Sequence, residues 1–309
     1  MSAIPANLLT NLNHPNKRVR VEAATWAGNS GNKAIAPYLL PLLQDTWGPA
    51  AWEACQAIVK LKDISTIAKA YQSSQSIPQV SGLSFLKSLS GLTPWPTWPK
   101  GNGVIGLDEI DDQDQTTICE TLQLALKSSE PEEQVVAMIG LKRLMQPEEL
   151  QPLLKPLLRL RVNPFKYDEN PFAFIDTLGF AIPQLGLPQS TISVSELAAL
   201  YLIMAGDEES AKKIFKYALE EWWWYSSPKD LMIKCMFDQG WDWVIERLAA
   251  YQQDENINNK LASITCLKSI PSPSVQPILE VFAQDPKRKV RKEAERAIKA
   301  WQRSFSKES

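Results

Sequence analysis

Residues 277–301 read PILEVFAQDPKRKVRKEAERAIKAW, and this stretch decides the fold. Ile278, Leu279, Val281 and Phe282 form an apolar helical face that runs into Asp285-Pro286. A second face begins near Lys287, with Val290, Ala294, Ala297 and Ile298 at helical spacing. The spacing predicts two helices joined by a short turn. The pattern returns at the other end of the chain, where His14-Pro15-Asn16-Lys17-Arg18-Val19-Arg20 matches residues 285–291 and Glu22-Ala23 matches Glu293-Ala294.

Marking the turns fixes a period. His14, Asp45 and Ser76 open successive turns, as do Asp254 and Asp285, and every step is 31 residues. A fixed period of this size points to a solenoid, because one helical pair cannot bury its own apolar face and must stack on a neighbour. The first helix of the unit has its own signature. Ala36-Pro37-Tyr38-Leu39-Leu40-Pro41-Leu42-Leu43 parallels Gln151-Pro152-Leu153-Leu154-Lys155-Pro156-Leu157-Leu158 and Gln276-Pro277-Ile278-Leu279. Proline is tolerated early in a helix, where its missing donor would be unpaired anyway; Pro41 and Pro156 lie deeper and are expected to bend it.

The form PxLLxxLxD, a short turn, then VRxEA, as in Pro277 to Asp285 followed by Val290-Arg291-Lys292-Glu293-Ala294, resembles the short HEAT repeats of phycobilisome lyases. The likeness covers residues 1–90 and 245–301, is fainter over 120–160 and is absent between. It implies an all-α fold, a right-handed α-solenoid of HEAT-like helical hairpins with an irregular Trp/Pro-rich middle. The residues make sense in those terms: valine packs inward, alanine lets helices approach, and arginine can bond carbonyls or carboxylates of the next unit.

Residues 1–90 hold N-terminal repeats. Leu8, Leu9 and Leu12 make one inner stripe, and Val19, Ala23, Ala24 and Ala27 a second that Gly28 and Gly31 end. Trp26, Trp47 and Trp52 are expected in the core, and Ile67, Tyr71, Val80, Leu83, Leu86 and Leu89 in one buried seam. Residues 91–115 form an inserted loop and an acidic helix start. Three prolines, four glycines, Trp95 and Trp98 between 90 and 107 cannot continue a helix. That loop either tacks itself to the repeats through its tryptophans or presents them to a partner.

Residues 116–190 begin as a degenerate repeat, with Glu130-Pro131 at the turn and Val135 in the place of Val19, then become an irregular aromatic and proline segment. Residues 191–245 form helical hairpins that also resemble tetratricopeptide ones, broken at Gly206 and ending in Trp222-Trp223-Trp224-Tyr225. Consecutive helical residues point about 100° apart, so four aromatics in a row cannot share one seam. Trp241 and Trp243 start the next helix, and residues 246–309 return to short repeats and a polar tail.

Composition narrows the function. The chain has 309 residues, 44% apolar and 22% charged, with a net charge of -2 and pI near 5.7. No whole-molecule basic field exists, which disfavours nucleic acid as the partner. The N-terminal residues lack a basic start and a long apolar core, and the longest apolar run, 197–205, is too short for a bilayer. The expectation is a cytoplasmic chain with no membrane association. Cys55, Cys119, Cys235 and Cys266 are far apart in apolar patterns, as buried free thiols would be.

Catalytic signatures are sparse. Gly101, Gly103 and Gly106 spell GxGxxG, but no strand precedes them and the following Asp108-Glu109-Ile110-Asp111-Asp112-Gln113-Asp114 would repel a pyrophosphate. The same carboxylates lack calcium-loop spacing and suit the positive end of a helix. His14, the one histidine, aligns with Asp285 at a repeat turn, which leaves histidine catalysis and multi-histidine metal sites without residues. No catalytic residue, metal site or cofactor is implied.

The leading reading is a noncatalytic HEAT-repeat scaffold or adaptor that binds a protein partner through a concave and Trp-rich surface. Trp95, Trp98, Trp222, Trp223, Trp224, Trp241 and Trp243 are the candidate contacts. The alternatives come from resemblance. An alkylpurine DNA glycosylase-like HEAT enzyme would use Trp241, Asp242 and Trp243 at its site, with Arg18, Arg159, Arg161 and residues 287–292 on phosphates. A bilin lyase subunit-like chaperone is the other, resting on the repeat type alone.

Overall fold

The turns that sequence alignment marks are built around one hydrogen-bonding device. The computed structural model describes residues 4–74, 82–92, 94, 103–158, 194–220 and 229–308, with 217, 218, 220, 229 and 304–308 described by backbone alone. At each turn a side-chain acceptor takes the backbone N–H two residues on. His14 Nδ1 accepts from Asn16 at 3.0 Å, Asp45 Oδ1 from Trp47 at 2.8 Å and Ser128 Oγ from Glu130 at 3.1 Å. Asp254 Oδ1 accepts from Asn256 at 2.6 Å and Asp285 Oδ1 from Lys287 at 2.7 Å. Such short polar side chains fold the chain into a helix start by satisfying donors that the helix itself cannot. The turn expected at Ser76 lies outside the described residues.

Among the described residues every regular element is an α-helix or a 3-10 helix. Contacts divide the chain into two compact units, Met1–Met145 and Gln146–Ser309. The first contains α1 (Ala6–Leu12), α2 (Lys17–Asn29), a 3-10 segment (Lys33–Gln44), α3 (Gly48–Leu61), α4 (Ile64–Ser74), α5 (Gly82–Leu89), α6 (Asp112–Ala125) and α7 (Pro131–Leu144). α1 pairs with α2, the 3-10 segment with α3, α4 with α5, and α6 with α7. First members pack on one another in series, and so do second members. That is the two-layer helical repeat the period predicts.

The second unit contains α8 (Pro147–Leu154), α9 (Val194–Met204), α10 (Glu208–Glu220), α11 (Lys229–Asp238), α12 (Trp243–Ala250), α13 (Ile257–Lys268), α14 (Val275–Phe282) and α15 (Arg288–Glu308). Here too each helix packs on its next or next-but-one neighbour. Phe215, Ile264, Leu267, Leu279, Phe282, Val290 and Trp301 belong to one continuous buried cluster.

Proline decides the helix type in the first layer. The Lys33–Gln44 segment was expected as a bent α-helix and is a 12-residue 3-10 helix. Pro37 and Pro41 each lack a donor, and a proline ring inside an α-helix collides with the carbonyl four residues back. The second proline of the same motif repeats the outcome at Pro156, where α8, which holds Pro152, gives way to a 3-10 turn over Lys155–Leu157.

The period is also written in hydrogen bonds between hairpins. Trp301 Nε1 donates to the Ile270 carbonyl and Lys60 Nζ to Asn29 Oδ1, both across 31 residues. Two ion pairs span 25 residues. Arg20 grips Asp45 with Nε at 2.6 Å and Nη2 at 2.9 Å, and Lys260 Nζ meets Asp285 at 2.5 Å. Arg20 also donates through Nη1 to the His14 and Pro15 carbonyls, as Arg291 does to Asp285 and Pro286. Gln134 stands six residues after Ser128, where Arg20 stands after His14, and bonds the Leu126 and Ser128 carbonyls instead. The degenerate turn therefore begins two residues before the expected Glu130-Pro131.

Two expectations for the first unit change. Gly28 does not end a helix; it lies inside α2, where a Cβ would sit 2.8 Å from the Ala57 Cα. Gly31, at φ +66°, supplies the left-handed residue after the helix. Trp26 and Trp52 are not core: they are 49% and 41% exposed, and Trp47 is half-buried with Lys17 Nζ 4.9 Å from its ring centre. The small residues Ala23, Ala24, Ala27, Ala50, Ala51 and Ala54 fill the interior in their place.

Arg20 holds the Asp45 carboxyl below the usual carboxylate range. Burial pushes Asp285 up, but Lys260 and the Lys287 N–H outweigh it and leave it lowered. A carboxyl lowered on folding stabilises above its unfolded pKa, near ~3.9, and that contribution disappears as pH falls through the folded value. Asp285→Asn, which keeps the turn acceptor, should lower stability at pH 7 by about 3 kcal/mol in urea denaturation, with the gap closing below pH ~4. Gly28→Ala should lower the melting temperature although alanine is the better helix former by ~1 kcal/mol, because the Ala57 backbone cannot give way.

Candidate protein-binding surface

The described site begins at a glycine. Gly240, at φ +78°, ends the turn after α11 with its N–H on the Phe237 carbonyl. The chain then passes through Trp241 and Asp242 into α12, where the Trp241 carbonyl accepts from Val244. This course brings Trp241 and Trp243 together. Their ring centres are 6.1 Å apart with planes at 17°, an offset stack. Both are half-buried beside the second unit's core.

α10 supplies the other wall. Phe215, 1% exposed, meets Trp243 edge-on at 5.4 Å and 71°. Lys212, one turn earlier, holds its ammonium 5.9 Å from the Trp243 ring centre. Arg247, one turn further along α12, lies 5.1 Å from the Trp243 ring and 5.8 Å from Phe215. Two exposed cations therefore border an aromatic cluster. Each such contact contributes about 0.5–1 kcal/mol when exposed, enough to orient the cations without locking them.

Lys212 also pairs with Glu208 at 2.8 Å and, with a smaller contribution from the Trp243 indole, holds that carboxyl below its usual range. The indole N–H is buried and lacks a hydrogen bond of good geometry. Nearby on α10, burial raises the Asp207 carboxyl, and Lys155 with the Ser210 N–H and hydroxyl reverses this into a net lowering. Asp207 thus starts α10 as Asp285 does its own turn, using Ser210 and Lys155 as partners.

The structure joins Trp241 and Trp243 and adds Phe215, Lys212 and Arg247, which sequence reading passed over. The three-residue step from Lys212 to Phe215 and the four-residue step from Trp243 to Arg247 are the signals in the sequence that could have found them. Trp95, Trp98, Trp222, Trp223 and Trp224 lie outside the described residues, as do Arg159 and Arg161. Asp242 is exposed at the start of α12, and its side chain caps no N–H there. The two indoles contact one another instead of framing an open slot, and Arg18 belongs to the other unit. Among the described residues no group of His, Cys, Asp and Glu is arranged to hold a metal, and no helix is long and apolar enough to cross a membrane. Cys55 and Cys266 are buried and Cys119 and Cys235 partly so, all as free thiols; burial raises the Cys55 and Cys235 thiols away from reactivity.

No family model and no curated protein matches the chain. Solved structures that it resembles include designed helical repeat proteins. One is a designed armadillo repeat protein in complex with a (KR)4 peptide, 14% identical over 96% of this chain and 98% of that one, with a TM-score of 0.20. Another is a computationally designed armadillo repeat protein for modular peptide recognition, 14% identical over 95% and 98%, with a TM-score of 0.19. An engineered protein is 15% identical over 96% and 98%, with a TM-score of 0.25. At these scores the likeness says nothing of activity.

Proposed function

We propose that the chain is a noncatalytic HEAT-like scaffold or adaptor that binds a protein partner at the surface around Trp241 and Trp243. The observation that supports this reading is the half-buried indole stack bordered by Lys212 and Arg247. Tryptophan and arginine dominate binding hot spots because they bury large area at small entropic cost and hydrogen-bond or stack at their edges. The exposed guanidinium of Arg247 can leave Phe215 and Trp243 at a cost of about 1 kcal/mol and let an apolar partner side chain cover the rings. The tryptophans at 95, 98 and 222–224 are candidates for the same role in this proposal.

Arg247→Ala with Trp241→Ala tests it. The double variant should keep its circular dichroism spectrum and lose no more than about 2 kcal/mol of stability, since neither residue is fully buried. Capture from a native lysate should retain one stoichiometric protein on the parent chain and lose it on the variant. Identical retention by both would remove the patch from the interface, and retained DNA that washes off with moderate salt would favour the glycosylase-like alternative.

A further inference from the structure

The repeat contains its own precedent for an incoming carboxylate. In α2 the Arg20 guanidinium spends Nη1 on the His14 and Pro15 carbonyls of its turn, and its other edge, Nε and Nη2, grips Asp45 of the following hairpin. Arg291 occupies the same place in α15. Its Nη1 donates to the Asp285 and Pro286 carbonyls at 2.8 Å each, which fixes the guanidinium as in Arg20. Among the described residues no carboxylate meets the Nε and Nη2 edge of Arg291.

The surrounding face has the matching charge. α15 buries Val290, Ala294, Ala297 and Trp301. On the opposite side Arg288, Lys292, Arg296, Lys299 and Arg303 are exposed, at steps that keep them within an arc of about 80° along ~22 Å of helix. Lys287 and Lys289 add two exposed cations, and the first turn contains no acid. Cations at a helix N-terminus oppose the dipole, and α6, α7, α8 and α10 open on carboxylates instead. Arg288 at the start of α15 therefore works against the dipole of its own helix, as Lys17 and Arg18 do at the start of α2. Among the described residues only Arg296 is paired, with Glu293 of its own helix at 3.3 Å.

We propose that α15 docks an acidic protein segment, with the free edge of Arg291 taking an aspartate at a helix-starting turn and the basic stripe taking the carboxylates that follow. A bidentate guanidinium–carboxylate contact fixes register, and the stripe adds salt-dependent attraction. An acidic protein segment fits better than nucleic acid because the chain's net charge is -2 and exposed Glu295 lies beside the stripe, about 20° outside its arc, features that oppose a dense phosphate polymer. This surface uses none of the residues around Trp241, so either site can fail alone.

The test uses the full chain and a labelled 20-residue peptide that carries an Asp-Pro turn followed by glutamates at helical spacing, read by fluorescence anisotropy at low salt. Controls are the same peptide with its turn aspartate changed to asparagine, and a 20-base-pair DNA duplex. Arg291→Lys retains a donor for the turn carbonyls and loses the fork; Lys292→Glu with Lys299→Glu reverses the exposed stripe. The expected result is binding weakened at least tenfold by either change, by the asparagine peptide and by raised salt, with unchanged circular dichroism. No binding, equal binding of the asparagine peptide, insensitivity to Arg291→Lys in the folded variant, or tighter binding of the duplex would each overturn the proposal.

Discussion

The structure depends on a carboxylate that acts in two directions at once. Asp285 caps its own turn through Oδ1 and reaches back to Lys260 through Oδ2. Asp45 does the same with Trp47 and Arg20. Local helix initiation and contact between hairpins thereby share one side chain, so neither is complete without the other. Repeat proteins gain cooperativity from such neighbour terms, since a single hairpin has too little core to stand alone. Where the rung is missing, near Ser128, a different pair of contacts joins the layers: Gln134 closes the turn, and buried Tyr71 donates its hydroxyl to Glu133 at 2.9 Å.

The aromatic surface grows from the same repeat logic. α12 follows α11 through a turn at Gly240 and so places the Trp243 indole, with Trp241 stacked on it, against Phe215 of α10. Phe215 anchors the cluster in the core while Lys212 and Arg247 stay at its rim. Packing thus fixes the rings and leaves their charged cover adjustable. That combination distinguishes this patch from Trp301, whose N–H is committed to the Ile270 carbonyl and whose role is structural.

Much of the fold is legible because it rests on local rules. The 31-residue period, the helical apolar spacing and the acceptors at His14, Asp45, Asp254 and Asp285 are all visible as letters. Asp111, expected at a helix start, accepts from Asp114 as such residues do. Other features depend on what lies opposite. Gly28 reads as a helix end until Ala57 is known to press against it. Trp26 and Trp52 read as core until the alanines of α2 and α3 are seen to close the space first. For the site, the pairing of Trp241 with Trp243 follows from adjacency, but Phe215 and Arg247 join them only through tertiary packing.

The 3-10 segment changes how a hairpin measures its length. Twelve residues at about 2.0 Å each extend ~24 Å, close to the ~21 Å of the 14-residue α3 beside it. As an α-helix the same residues would reach only ~18 Å and fall short of α3 by ~3 Å, about half a turn. Side chains three apart also eclipse, so Ala36, Leu39 and Leu42 line up as one straight buried ridge instead of a winding stripe. The two prolines thus act as a ruler, setting how far this layer reaches per residue.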